Sequence, residues 1–246
     1  PHNRWGYFAS FGAAWRASDE TFIKNIKAIN NLKLRASWGI TGNQNIGNYA
    51  SYSLYSGGQN YLGLPGFIPN VLGDKNLKWE TTKQLDIGLD LGLFNNRISL
   101  LADYYVKNTS DLLIGIPVLT QSGFLNRFTN FGEIQNKGFE FELTTQNLVG
   151  AFKWTTTLNM TFNRNKIVEL PVERILGGVG ELNLAQEGLP LGTFYGWKMI
   201  GVNPQTGLID YEDQNGNPTT PTNPDDRQII GDPNPDFFGG ITNNFR

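Results

Sequence analysis

Apolar and polar residues alternate with a period of two over seven stretches of this chain, which predicts β-strands with one apolar and one polar face. Residues 152–163 are the clearest case. Phe152, Trp154, Thr156, Leu158, Met160 and Phe162 share one side, and Lys153, Thr155, Thr157, Asn159, Thr161 and Asn163 the other. Residues 32–41 set Leu32, Leu34, Ala36, Trp38 and Ile40 against Lys33, Arg35, Ser37, Gly39 and Thr41. Residues 84–93 set five leucines and isoleucines against Gln84, Asp86, Gly88, Asp90 and Gly92. Residues 98–107 and 139–144 repeat the pattern, the first with Leu101 and Tyr105 mixed into its polar side. A first strand is expected over 4–16, carrying Trp5, Tyr7, Phe11 and Trp15 on one side, and a weaker last one over 236–246.

The connections alternate in length. Those after the first, third and fifth strands (17–31, 94–97, 147–151) are shorter than those after the second, fourth and sixth (42–78, 108–137, 164–235). In an up-and-down meander this puts the short turns at one end and the long loops at the other, as in outer-membrane barrels with short periplasmic turns and long extracellular loops. Strand length points the same way. Trp5 and Trp15, on one expected strand, would lie about 33 Å apart at roughly 3.3 Å per residue. A tilt near 40° reduces that to about 25 Å, the height of a lipid-facing band between aromatic girdles. The expectation is an all-β, transmembrane antiparallel up-and-down β-barrel, with residues 1–246 as part of its wall. A soluble carbohydrate-binding β-sandwich explains the alternation equally well but not the sorting of the loops. An odd strand number and a chain that starts and stops in strand-like sequence suggest an interior piece of a longer barrel.

Composition narrows the chemistry. There are 29 glycines, 6 Trp, 9 Tyr and 16 Phe among 246 residues, a profile against a helical bundle. Cysteine is absent, which removes disulfides and thiolate metal sites. A net charge of −2 gives no basic footprint for nucleic acid. No run reaches the eighteen or so apolar residues of a membrane helix.

Several ordered motifs resemble the SusC/RagA family of TonB-linked outer-membrane proteins. They are residues 32–43 (LKLRASWGITGN), 76–90 (NLKWETTKQLDIGLD), 93–97 (LFNNR), 103–107 (DYYVK), 130–142 (NFGEIQNKGFEFE), 192–197 (GTFYGW) and 230–237 (IGDPNPDF). The resemblance implies part of the C-terminal half of a 22-stranded, plugged TonB-dependent transporter barrel in a Bacteroidetes outer membrane. It implies import of oligosaccharides or oligopeptides, a SusD-like surface lipoprotein as lid, and energy from the TonB-ExbB-ExbD complex reached through an N-terminal part outside this sequence. A siderophore or cobalamin receptor is the alternative within the wider barrel class.

The single histidine, His2, leaves no triad or histidine-ligated zinc site within the chain. Asp86, Asp90, Glu140 and Glu142 lie on polar faces at period two; paired carboxylates can hydrolyse glycosides, but residues so spaced on a barrel strand simply line water or a plug. No enzymatic role is expected. Aromatic loop residues are the substrate candidates, because sugar rings stack on them: Phe194, Tyr195 and Trp197 in the longest loop, and Tyr52 and Tyr55, with Tyr49 and Tyr61, in another. Trp5, Trp15, Trp38 and Trp154 are expected at the lipid interface. No cofactor is required; Asp210, Asp213 and Asn215 form a weak calcium candidate whose spacing departs from the EF-hand pattern. The proline-rich 218–224 segment suggests an extended part of a lipoprotein-docking rim.

Overall fold

A computed structural model describes residues 5–46, 48–124 and 126–246, less the side chains at 59, 61, 117, 120 and 126. His2, Arg4 and the Tyr61 side chain lie outside the described residues. The chain divides into two compact units, residues 1–163 with 237–246, and residues 164–236.

The first unit is built on one seven-stranded antiparallel sheet. Its strands are β1 (Ser10–Arg16), β2 (Ile29–Asn43), β3 (Glu80–Leu93), β4 (Ile98–Ser110), β5 (Glu133–Val149), β6 (Lys153–Glu169) and β7 (Phe238–Phe245), and they neighbour one another in chain order. All seven expected strands are present, joined in one up-and-down meander. Most run longer than the alternation alone outlines, up to 17 residues for β5 and β6. The 13 residues of β4, the shortest of the five inner strands, extend about 43 Å at roughly 3.3 Å each, enough to cross a bilayer at a steep tilt. No helix among the described residues is long and apolar enough to cross a membrane, so any crossing is made by strands.

The register explains why the faces stay separate. Leu34, Leu89, Ala102 and Phe141 form one cross-sheet row, and Ala36, Ile87, Tyr104 and Phe139 the next. Between them runs the polar row Arg35, Gly88, Asp103, Glu140. A slip of one residue in any pair would place charges in the apolar rows, so the pattern itself locks the register.

The first strand corrects one expectation. Its pairing begins at Ser10, and Trp5 stands ahead of it, 88% exposed and in no strand. The ten-residue spacing from Trp5 to Trp15 is therefore not a strand length. Phe8, in the same unpaired lead, turns its ring onto Trp79 with centroids 5.5 Å apart, covering Gly42.

Because neighbouring strands alternate in direction, the connections after β2, β4 and β6 leave from one end of the sheet and those after β1, β3 and β5 from the other. The short end holds a single turn of helix (Thr21–Lys24) and two tight turns at 94–97 and 150–152. The 94–97 turn carries Phe94, Asn95 and Asn96 at positive φ, a conformation Asn tolerates better than most residues. The long connections are not bare loops. Residues 44–79 hold a hairpin of Leu54–Tyr61 and Leu64–Val71, and 111–132 hold another of Leu113–Pro117 and Asn126–Asn130.

The second unit, which the sequence outlines only as a long connection, contains two small sheets. One joins Arg174–Gly177, Asn183–Gln186, Thr193–Gly196 and Gln228–Gly231; the other joins Met199–Val202, Ile209–Glu212 and Pro218–Thr219. Ile167, Leu184 and Thr193 form its buried centre.

Candidate functional site: polar wall, aromatic edge and structured loops

The polar face of the sheet is a hydrogen-bonded lining. Arg35 on β2 donates from Nε to Asp90 on β3 at 2.8 Å and pairs through Nη2 with Asp103 on β4 at 3.0 Å. It spans β3 because Gly88 lies beneath it; a side chain there would occupy the same space as Arg35 and Asp103. Lys33 adds a 3.7 Å pair to Asp90. Tyr105 on β4 repeats the device, passing over Gly138 on β5 so that its hydroxyl donates to Asn163 Oδ1 on β6 at 3.0 Å. Asp86 accepts from Gln84 Nε2 at 2.7 Å and from the Ser37 hydroxyl at 3.4 Å. Glu140 and Glu142 stand exposed on the same face. Asp86 and Asp90 thus take up structural partners and Glu140 and Glu142 open space, and none is paired with a histidine among the described residues.

The apolar face ends in paired aromatics. Trp15 meets Phe22 at 6.4 Å, Phe11 stacks on Trp38 at 6.2 Å, and Phe245 lies against Trp154 at 5.8 Å and Phe152 at 6.1 Å. Two indole N–H groups are satisfied, Trp15 by Glu20 Oε1 and Trp154 by Asn243 Oδ1, each at 3.0 Å. An apolar ring with a hydrogen-bonded polar edge suits a boundary between hydrocarbon and water.

Among the loop aromatics, Tyr52 and Tyr55 are exposed, at and just before the 54–71 hairpin, as are Tyr49, Leu62, Leu64 and Phe67. In the second unit Phe194 is exposed and lies over Gly231. Tyr195 and Trp197 are engaged by a residue that alternation does not reveal. The Arg227 guanidinium sits 4.9 Å from the Tyr195 ring and 5.6 Å from the Trp197 ring. Its side chain is only 9% exposed, and it donates to the backbone carbonyls of Tyr195 and Glu181. Trp197 Nε1 donates to the Asn223 carbonyl at 3.1 Å, tying down the 218–224 segment. Two of the three rings that the sequence offers in this loop as substrate candidates, Tyr195 and Trp197, thus flank an arginine.

Asp213 accepts the backbone N–H of Asn215 and of Asn217, each at 2.8 Å, around a turn whose Gly216 has φ +83°. Those donors hold its carboxyl below the usual carboxylate range. Asp210 lies on the preceding strand, and no group of three or more acidic residues suited to a metal occurs among the described residues. The carboxylate at the centre of the calcium candidate is in use by its own turn.

Residues 1–226 match the family model described as TonB dependent receptor-like, beta-barrel. The chain belongs to that family. It is 35% identical to TonB-dependent receptor P3 of Formosa agariphila over 100% of its own length and 27% of that protein's. It is 36% identical to TonB-dependent receptor SusC of Bacteroides thetaiotaomicron, over 68% of this chain and 18% of SusC. The solved RagAB peptide transporter superposes with a TM-score of 0.86 at 28% identity, covering 98% of this chain and 28% of that one. The chain therefore spans between about a fifth and a little over a quarter of the length of these relatives. Its sheet is a section of an outer-membrane β-barrel wall, as the SusC/RagA resemblance implies, and its matches are named as receptors and transporters rather than enzymes. In such a wall the apolar rows meet lipid and the polar rows face the lumen.

Proposed function

We propose that this chain forms part of the wall and outer rim of an active importer that carries oligosaccharides or oligopeptides across the outer membrane. The observation that carries the reading is that all three long, internally structured connections leave the family barrel sheet from the same end. That end is the extracellular mouth, where loops of up to 68 residues (170–237) exceed any need of strand connection. The opposite, tightly turned end is periplasmic. Trp15, Trp38 and Trp154 anchor the wall at the lipid interface.

Exposed, uncharged aromatics, Tyr52, Tyr55 and Phe194, are the residues offered to cargo or to a covering protein; Tyr195 and Trp197 serve by shaping the loop through Arg227. A SusD-like surface lipoprotein would close the mouth, and TonB-ExbB-ExbD would supply energy through other parts of the full-length protein. The similarity to the RagAB peptide transporter supports a peptide cargo and the SusC/RagA family resemblance allows an oligosaccharide one, so the class of molecule is decided by experiment. Purifying the full-length protein from native outer membranes in mild detergent and identifying by mass what stays bound is that experiment. A stoichiometric surface lipoprotein with retained oligosaccharide or peptide is expected. Recovery without any lipoprotein and with a bound iron chelate or corrinoid would overturn the reading.

A further inference from the structure

Two of the long connections are almost free of charge. No Asp, Glu, Lys or Arg occurs from Gln44 to Gly73, and between Leu112 and Gly132 there is a single charged residue, Arg127. The first charge after the neutral run is Asp74. The fold brings these two residues together: Arg127 Nη2 lies 2.8 Å from Asp74 Oδ2. The Thr129 hydroxyl donates to the same oxygen at 2.7 Å, and the Asn76 N–H donates to Oδ1 at 2.9 Å. Asp74 is 5% exposed, so its charge is compensated by protein groups rather than by water.

Other bonds cross at the same place. Asn130 accepts the Lys78 N–H at 2.7 Å and donates to the Lys78 and Asp111 carbonyls at 2.8 and 2.9 Å. Lys78 Nζ pairs with Asp111 at 2.9 Å, and Leu72 forms an isolated parallel bridge with Arg127. Gly73 is required immediately before Asp74, because a Cβ there would strike the Tyr52 and Ser53 backbone. The pair is buried on its acid side, Arg127 itself being 39% exposed, and opening it would leave the Asp74 carboxylate without its cation in a largely dry site, which biases the two connections toward the closed arrangement.

We propose that Asp74 and Arg127 form a latch that joins the connections 44–79 and 111–132 into one body, so that the 54–71 and 113–130 hairpins move together at the barrel mouth. A force or partner acting on the exposed aromatic hairpin is thereby carried to its neighbour. This holds whatever the cargo.

The test uses the full-length receptor in lipid nanodiscs, on a background with no other cysteine. Spin labels go on Leu64→Cys and Leu119→Cys, positions 69% and 78% exposed, one on each connection. A single narrow distance distribution is expected. Asp74→Asn, and separately Thr129→Val, should broaden it about twofold or more and speed amide exchange in 113–130 about tenfold, leaving 80–93 and 98–110 unchanged. Lys75→Gln, the exposed neighbour, serves as control and should change neither. A broad distribution in the otherwise native protein would overturn the latch without recourse to any substitution at Asp74. So would an Asp74→Asn protein indistinguishable from the control.

Discussion

Gly88 and Gly138 both lie beneath a long side chain in the wall, yet a methyl group added at each meets different atoms. At Gly88 it meets the ends of the Asp103 and Arg35 side chains, which can shift by rotation; at Gly138 it lies 2.5 Å from the Phe162 backbone carbonyl, held by the neighbouring strand. Gly138→Ala should therefore cost about 1–3 kcal/mol and Gly88→Ala clearly less, measured by thermal unfolding of the full-length barrel in detergent. Arg227 carries a second residue-scale prediction. Lysine lacks the planar face that stacks between Tyr195 and Trp197 and the fork that reaches two carbonyls. Arg227→Lys should red-shift Trp197 emission and speed proteolysis within 198–226, at a cost on the order of 2 kcal/mol. Which side of the wall each residue faces can be read from alternation, since it depends only on neighbours two positions apart. That Tyr195 and Trp197 are occupied could not be read, because the occupant is about 30 residues away and the arrangement exists only after the Thr193–Gly196 and Gln228–Gly231 strands pair.

At the scale of elements, the seven wall strands were visible because each shows one face to apolar and the other to polar surroundings, and in most of them period two persists over about ten residues. Two features escaped. Residues 5–9 alternate like a strand but lack ladder partners over most of their length, and pattern without a partner does not make a strand. The small hairpins within 44–79 and 111–132 carry no clean alternation: the first is rich in Gly and Pro and largely exposed, and the described side chains of the second are mostly half-buried whichever way they alternate. What fixes those hairpins is the Asp74 latch, and it predicts an acid response. Burial pushes the Asp74 carboxyl up, but the Thr129 hydroxyl, the Asn76 amide and the Arg127 guanidinium outweigh it and hold it below the ordinary carboxylate range. A depressed value in the folded state means stabilisation fully present above the unfolded value near 3.9 and lost as pH falls through the folded one. The Leu64–Leu119 label distance should stay narrow from pH 7 down to about 4 and broaden below that. Asp74→Asn should be broad throughout, with that step removed.

For the whole molecule the decisive question is which face of the sheet meets hydrocarbon, and two leucines on adjacent strands answer it. Leu89 on β3 sits in an apolar row between Leu34 and Ala102; Leu101 on β4 sits in a polar row between Asp90 and Glu142. Hydropathy makes them equivalent, and only their parity against the ladder separates them. In a barrel wall, an arginine on the lipid face near the midplane costs about 2–4 kcal/mol, whereas a lumen position is solvated. Leu89→Arg should therefore sharply reduce the amount of folded, heat-modifiable receptor recovered from the outer membrane. Leu101→Arg should assemble at nearly native levels, because its guanidinium gains a carboxylate on either side. Equal losses for the two substitutions would mean that both faces are buried in apolar surroundings, and the separation of wet lumen from lipid on which the transport reading depends would fail with them.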